Sequence, residues 1–70
     1  MSASVEIILN GQPRVVPAGS TIAALLAELE MPGRQVAVEV NYELVPRARH
    51  AERTLLAGDR LELVTLVGGG

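Results

Sequence analysis

Apolar and polar positions recur along this chain with the periods of five strands and one helix. Val5-Glu6-Ile7-Ile8-Leu9 is rich in strand-forming residues, and Asn10-Gly11 follows at once. Asn-Gly accepts the positive φ values of a two-residue type I′ turn and predicts a hairpin. The return strand is Arg14-Val15-Val16, with Pro13 placed where it need not donate to a ladder. Pro17-Ala18-Gly19 ends that hairpin. Ser20 or Thr21 then supplies a hydroxyl able to cap a helix. Ile22, Leu25, Leu26 and Leu29 follow at i, i+3, i+4 and i+7, a single apolar stripe, with Glu28 and Glu30 solvated. Met31-Pro32-Gly33 stops the helix.

Val36-Ala37-Val38-Glu39-Val40 alternates as a third strand with its valines inward. Asn41-Tyr42 turns the chain into a short strand, Glu43-Leu44-Val45, which Pro46 ends. Residues 47–57 read as irregular or weakly helical, with Leu55 and Leu56 tucked onto the core. Gly58-Asp59 is a turn, and Arg60 to Val67 is the final strand. The helix stripe must be buried against one face of the sheet, which predicts an α+β fold with a mixed sheet of four to five strands on one main helix.

Strand phase adds a surface. Glu62 faces water, so Arg60, Val64 and Leu66 share its face while Leu61 and Leu63 point to the helix. Val5, Ile7 and Leu9 point inward and Ile8 outward. If the first and last strands are neighbours, Ile8, Val64 and Leu66 form an exposed apolar patch, and a contiguous patch suggests a partner.

Composition narrows the class. The chain has 70 residues, 49% hydrophobic, with Tyr42 its only aromatic, so the core is built from aliphatic side chains. There is no cysteine, which excludes disulfides, thiolate metal sites and a cysteine nucleophile. A net charge of −2 argues against nucleic acid as a partner. No apolar run is long enough to span a bilayer, and residues 1–6 lack a signal-peptide pattern. The expectation is a soluble, cytoplasmic protein with no membrane partner. All six basic residues are Arg. The absence of Lys reads either as avoidance of amines that an activated carboxyl could acylate, or as compositional habit.

Catalytic chemistry is thin. His50 stands alone among Arg47, Arg49, Glu52 and Arg53 and reads as part of a solvated loop, with no metal cluster and no triad. The Arg47-Ala48-Arg49-His50 run either docks an acidic surface or keeps the loop soluble. Asp59 follows a glycine in a turn, a structural position. No pair of carboxylates stands out as acid and base, and no Gly-rich loop precedes a helix to cradle phosphate. The residues point away from an enzyme.

What remains is the run Leu63-Val64-Thr65-Leu66-Val67-Gly68-Gly69-Gly70. Residues 1–67 read as one domain and 68–70 as a flexible tail, because glycine explores φ freely and carries no side chain. Extended, three residues reach roughly 10 Å. The carboxylate of Gly70 is then the candidate reactive group; the competing reading is a functionless chain end.

Taken together, these stretches resemble a known family. Leu9-Asn10-Gly11, Ala18-Gly19-Ser20-Thr21-Ile22, Leu25-Leu26, Val36 to Asn41, Leu44-Val45-Pro46-Arg47, Gly58 to Glu62 and Val67-Gly68-Gly69-Gly70 are similar, in order, to the ThiS-type sulfur carriers of thiamin biosynthesis. The resemblance implies a ubiquitin-like β-grasp fold. It also implies that a ThiF-type, ubiquitin-activating-like adenylyltransferase uses ATP and magnesium to adenylate the Gly70 carboxylate. Sulfur from a cysteine desulfurase relay then gives a thiocarboxylate, which a ThiG-type thiazole synthase accepts. Gly69 and Gly70 match the reactive end. Gly68, Leu66, Val64 and Ile8 are the expected partner contacts, and no cofactor or metal is expected on the chain itself. The family typically ends in two glycines where this chain has three, and relatives often carry an aromatic near the position of His50. A carrier for molybdopterin, tRNA thiolation or cysteine synthesis, a protein modifier, and a passive binding module remain as alternatives.

Overall fold

The structure is a computed structural model that describes residues 3–31 and 35–66. Strands β1 (Ser4–Leu9), β2 (Gln12–Pro17), β3 (Val36–Val40), β4 (Glu43–Val45) and β5 (Arg60–Thr65) form one sheet, and helix α1 spans Ile22–Glu28. The spatial order is β2-β1-β5-β3-β4. β1 and β5 run parallel, and the other neighbours are antiparallel. The last strand in sequence therefore lies at the centre of the sheet. This mixed five-stranded sheet with one helix is the ubiquitin-like β-grasp.

Both hairpins close through two-residue turns with positive φ. Asn10 and Gly11 take 49° and 82°, and Asn41 and Tyr42 take 52° and 70°, as type I′ geometry requires. β2 is longer than Arg14–Val16 because both of its prolines join it. It is an edge strand, so the missing N–H groups of Pro13 and Pro17 cost the sheet little.

Thr21, not Ser20, caps α1: its hydroxyl accepts from the Ala24 N–H at 3.1 Å. Ser20 instead donates to the Pro17 carbonyl. The helix stops before the Pro-Gly step. Met31 N–H reaches Leu26 O at 2.9 Å, and Glu30 N–H reaches Ala27 O at 3.1 Å. This is a Schellman ending with Glu30 at φ 58° in the place usually held by glycine. Ile22, Leu25 and Leu26 are buried against Ile7, Val16, Val38, Leu61 and Leu63, with Leu29 half-buried at the rim.

Between β4 and β5 the chain makes a 3-10 turn at Arg47–Arg49 and then a loop. Leu55 is buried as expected, but Leu56 is 59% exposed. The reason is a turn in which Leu56 N–H donates to the Asp59 carboxylate at 2.8 Å, which leaves the Leu56 side chain outside. Asp59 is buried and also accepts from Asn41 Nδ2 at 3.0 Å, with Arg53 at 3.3 Å. His50 is not solvated: it is 4% exposed, and its Nε2 donates to Val45 O at 3.0 Å. A carbonyl only accepts, so Nε2 carries the proton. His50 also lends its own carbonyl to Ala23 N–H, tying β4 to the start of α1.

The Schellman ending yields a test with an unusual sign. An L-residue pays roughly 1–2 kcal/mol for left-handed geometry that glycine does not. Glu30→Gly should therefore raise unfolding free energy by about 1 kcal/mol in urea denaturation.

Candidate functional site: the carboxyl end of the central strand

β5 carries whatever follows it, so its anchorage positions the candidate tail. Its antiparallel register with β3 runs from Val40↔Leu61 to Val36↔Thr65, and Leu66 N–H extends the ladder to Gln35 O at 2.7 Å. On the other side β1 covers only the start of β5, with Ile8↔Arg60 and Leu9↔Leu61. There the first hairpin turn takes over. Asn10 N–H donates to Leu61 O at 2.8 Å, and its Oδ1 accepts from Leu63 N–H at 2.8 Å.

The second hairpin turn acts on the strand's other end. Asn41 Oδ1 accepts from Arg60 N–H at 3.0 Å, and Asn41 N–H donates to Arg60 O at 2.8 Å. Each turn asparagine thus tolerates positive φ and supplies a side-chain acceptor to β5. Sequence reasoning assigned these residues to turns and missed the second role, since nothing local shows that a strand some 20 to 50 residues later will lie alongside.

The expected contact residues are only partly brought together. Val64 and Leu66 are 58% and 54% exposed on the sheet face away from α1. Leu66 lies just past β5, which ends at Thr65, and Val67, the expected last residue of the strand, lies outside the described residues. Ile8 does not join them. It is half-buried and level with Arg60, four residues before Val64 along β5, roughly 13 Å away. The parallel register separates them: β1 turns away at Asn10 before it reaches the level of Val64. The apolar patch comprises Val64 and Leu66, with half-buried Ala37 paired to Val64.

Leu44, 67% exposed, shares this face and was overlooked. Its phase was available: a two-residue turn at Asn41-Tyr42 pairs Leu44 with the outward Glu39. Gly68, Gly69 and Gly70 lie outside the described residues, as does Val67.

Among the described residues, no group of three or more His, Cys, Asp or Glu is placed to hold a metal ion. An open cleft of about 550 Å³ lies between the β3–β4 hairpin and the following loop, lined by residues including Leu44, Pro46, Arg49 and Arg53. It lies beside the Arg60 end of β5, away from the end that leads to the glycines. No described helix is long and apolar enough to cross a membrane.

The arrangement presents one strand end beside an apolar strip, and the sequence comparisons give it a family. A model described as the ThiS family matches residues 7–70. This chain belongs to the ThiS family. The sulfur carrier protein ThiS of Escherichia coli (strain K12) is 31% identical over 65 residues, covering 93% of this chain and 98% of that one. A crystal structure of the thiamine biosynthesis protein ThiS from Geobacter metallireducens superposes with a TM-score of 0.80 at 29% identity. That match covers 94% of this chain and 100% of the other. A thiazole synthase of Paramagnetospirillum magneticum (strain ATCC 700264 / AMB-1) is 43% identical over 65 residues, 93% of this chain. The ThiS-family chain spans about a fifth of that protein's length, the share being 20%.

The dual role of Asn10 separates into two measurable parts. Asn10→Gly keeps the positive φ and removes the acceptor for Leu63 N–H. It should cost about 1 kcal/mol and speed hydrogen exchange at the Leu63 amide. Asn10→Ala loses both features and should cost roughly 1–2 kcal/mol more.

Proposed function

We propose that this chain is a sulfur carrier of thiamin biosynthesis, with the Gly70 carboxylate as its acyl group. The observation that carries the reading is the ThiS-family match running through residue 70, joined to a β-grasp sheet in which β5 is the central strand.

A free carboxylate is a poor electrophile. Adenylation by a ThiF-type partner, using ATP and magnesium, gives its carbon a leaving group. A persulfide from a cysteine desulfurase relay then displaces AMP to give an acyl disulfide on Gly70. A second thiol outside this chain cleaves the S–S bond, itself becoming oxidised to a disulfide and releasing the thiocarboxylate. Gly69 and Gly70 carry no side chain to obstruct a narrow channel, and Gly68 lengthens the same tail. The body at 1–67 stays outside, and the chemistry is the partners'. The carrier itself needs neither a cofactor nor a cysteine, and the chain has no cysteine.

Thiazole synthase is the acceptor that the relatives favour. In proteins bearing that name, from Paramagnetospirillum magneticum and from Magnetococcus marinus, a segment similar to this chain makes up 20% of the length. Physical linkage keeps a carrier at high effective concentration beside its acceptor. A separate carrier must find its partners through its surface, and Val64 and Leu66 are the contacts proposed for the adenylating partner.

The test is a thiol-specific label applied to the chain co-produced with its adenylating partner. With no cysteine to react, label belongs on the tryptic peptide that starts at Leu61, and deleting Gly70 should abolish it. An active partner that leaves this peptide unlabelled overturns the carrier reading, and ladders of lysine conjugates would replace it with protein modification.

The contacts have their own test. Val64→Arg and Leu66→Arg should leave the melting temperature within a few degrees of wild type, since both side chains are exposed. Each should lower the rate of label incorporation at least about tenfold. Unchanged labelling removes these residues from the interface.

A further inference from the structure

The sheet face away from α1 holds a feature that the carrier reading does not use. In the β3–β5 register Glu39 lies directly opposite Glu62, and both are exposed. Opposed residues on antiparallel strands have Cβ atoms about 4.5–5.5 Å apart, and like charges at that spacing repel. No described cation relieves them. The ion pairs among the described residues are Arg14–Glu28 and Arg53–Asp59. Arg60, two residues from Glu62 on the same face, lies over the Tyr42 ring at 5.9 Å instead.

The acidic pair is framed by apolar side chains. Leu44 is opposite Glu39 on β4, and the Ala37–Val64 pair is the next outward step towards the tail. Leu44 and Val64 are 67% and 58% exposed. Two acids opposed across neighbouring strands, beside apolar side chains, are an unfavourable cross-strand pairing. They suit a partner that brings a cation among apolar groups.

We propose that this face docks the sulfur acceptor, and that the acceptor places an arginine between Glu39 and Glu62 while Leu44 and Val64 pack against apolar residues around it. This rests on the reading of thiazole synthase as acceptor. A guanidinium offers donors along two edges and spans two adjacent carboxylates, which a compact ammonium does less well. Like charge disfavours a second copy of this chain wherever a two-fold contact overlays the two acidic pairs. The same strand that leads to the glycines thus carries the charge that fixes how the carrier sits on the acceptor. Register would be set at Glu62, and Val64 and Leu66 would follow it towards the reactive end.

The distinguishing property is that stability and binding respond in opposite directions. Glu39→Gln and Glu62→Gln each remove the repulsion, and each should raise Tm. Each should also weaken binding to thiazole synthase of the same organism about fivefold or more, measured by calorimetry with the full chain, and flatten the salt dependence of the affinity. Glu62→Arg should abolish binding while the domain stays folded. Glu52→Gln, an exposed acid off this face, should bind as wild type.

If Tm rises and affinity for thiazole synthase is unchanged, the pair serves no acceptor and the proposal is overturned. Loss confined to the adenylating partner overturns it too, since the face would then belong to that enzyme. Self-association of the wild-type chain that the Gln variants abolish would overturn it in favour of a second copy. A wild-type chain that does not bind thiazole synthase at all overturns the acceptor reading first, and this proposal with it. Binding by wild type that survives in the variants overturns this proposal alone.

Discussion

Everything in this molecule waits on one insertion: β5 between β1 and β3. The strand pairs in parallel with β1 through residues more than 50 positions away and in antiparallel with β3. Until it enters, the two hairpins are separate pieces, and a lone two-stranded hairpin is marginal in water. Its entry buries Leu61 and Leu63 among Ile7, Val38 and Leu25. It also gives Asn10 and Asn41 the N–H groups their side chains accept from. Long-range pairing of this kind carries a loop-closure cost that local contacts cannot offset in advance. The domain therefore gains its core and its correctly aimed strand end in the same event, and any function at the glycines inherits that cooperativity.

The two faces of the sheet divide the work. On one, α1 covers the aliphatic core, closed by the Thr21 cap and the Glu30 ending. On the other, nothing among the described residues covers Leu44, Val64 or the Glu39–Glu62 pair. Among the described residues, α1 is the one α-helix, and it lies on one face of the sheet. The face left bare is the one whose central strand continues towards Gly68, Gly69 and Gly70.

The polar residues that invite a catalytic reading turn out to hold the loop together. His50 bonds Val45 and Ala23, and Asp59 collects Leu56, Asn41 and Arg53. A histidine flanked by arginines looks solvated in sequence because its neighbours are, yet a single turn of 3-10 helix rotates it inward while Arg47, Ala48 and Arg49 stay exposed. Leu56 shows the reverse. Its side chain is apolar, but the Asp59 carboxylate captures its amide and leaves the side chain in water.

The chain's own residues determined the elements and their inward phase. Periodicity marks Ile22, Leu25 and Leu26 as one helical stripe and Val36, Val38 and Val40 as one strand face, because side-chain direction follows from local backbone geometry. The Asn-Gly turn and the glycine-ended final strand are equally local, and with them the family was legible. Adjacency between distant segments was not. That Ile8 sits beside Arg60 and not Val64, that Glu39 faces Glu62, and that Asn10 caps Leu63 all depend on the register between strands remote in sequence. Register is fixed by how the whole core packs, and a slip of one residue would turn every side chain to the other face. The sequence thus determined which residues are available to the site, and the tertiary structure decided which of them meet.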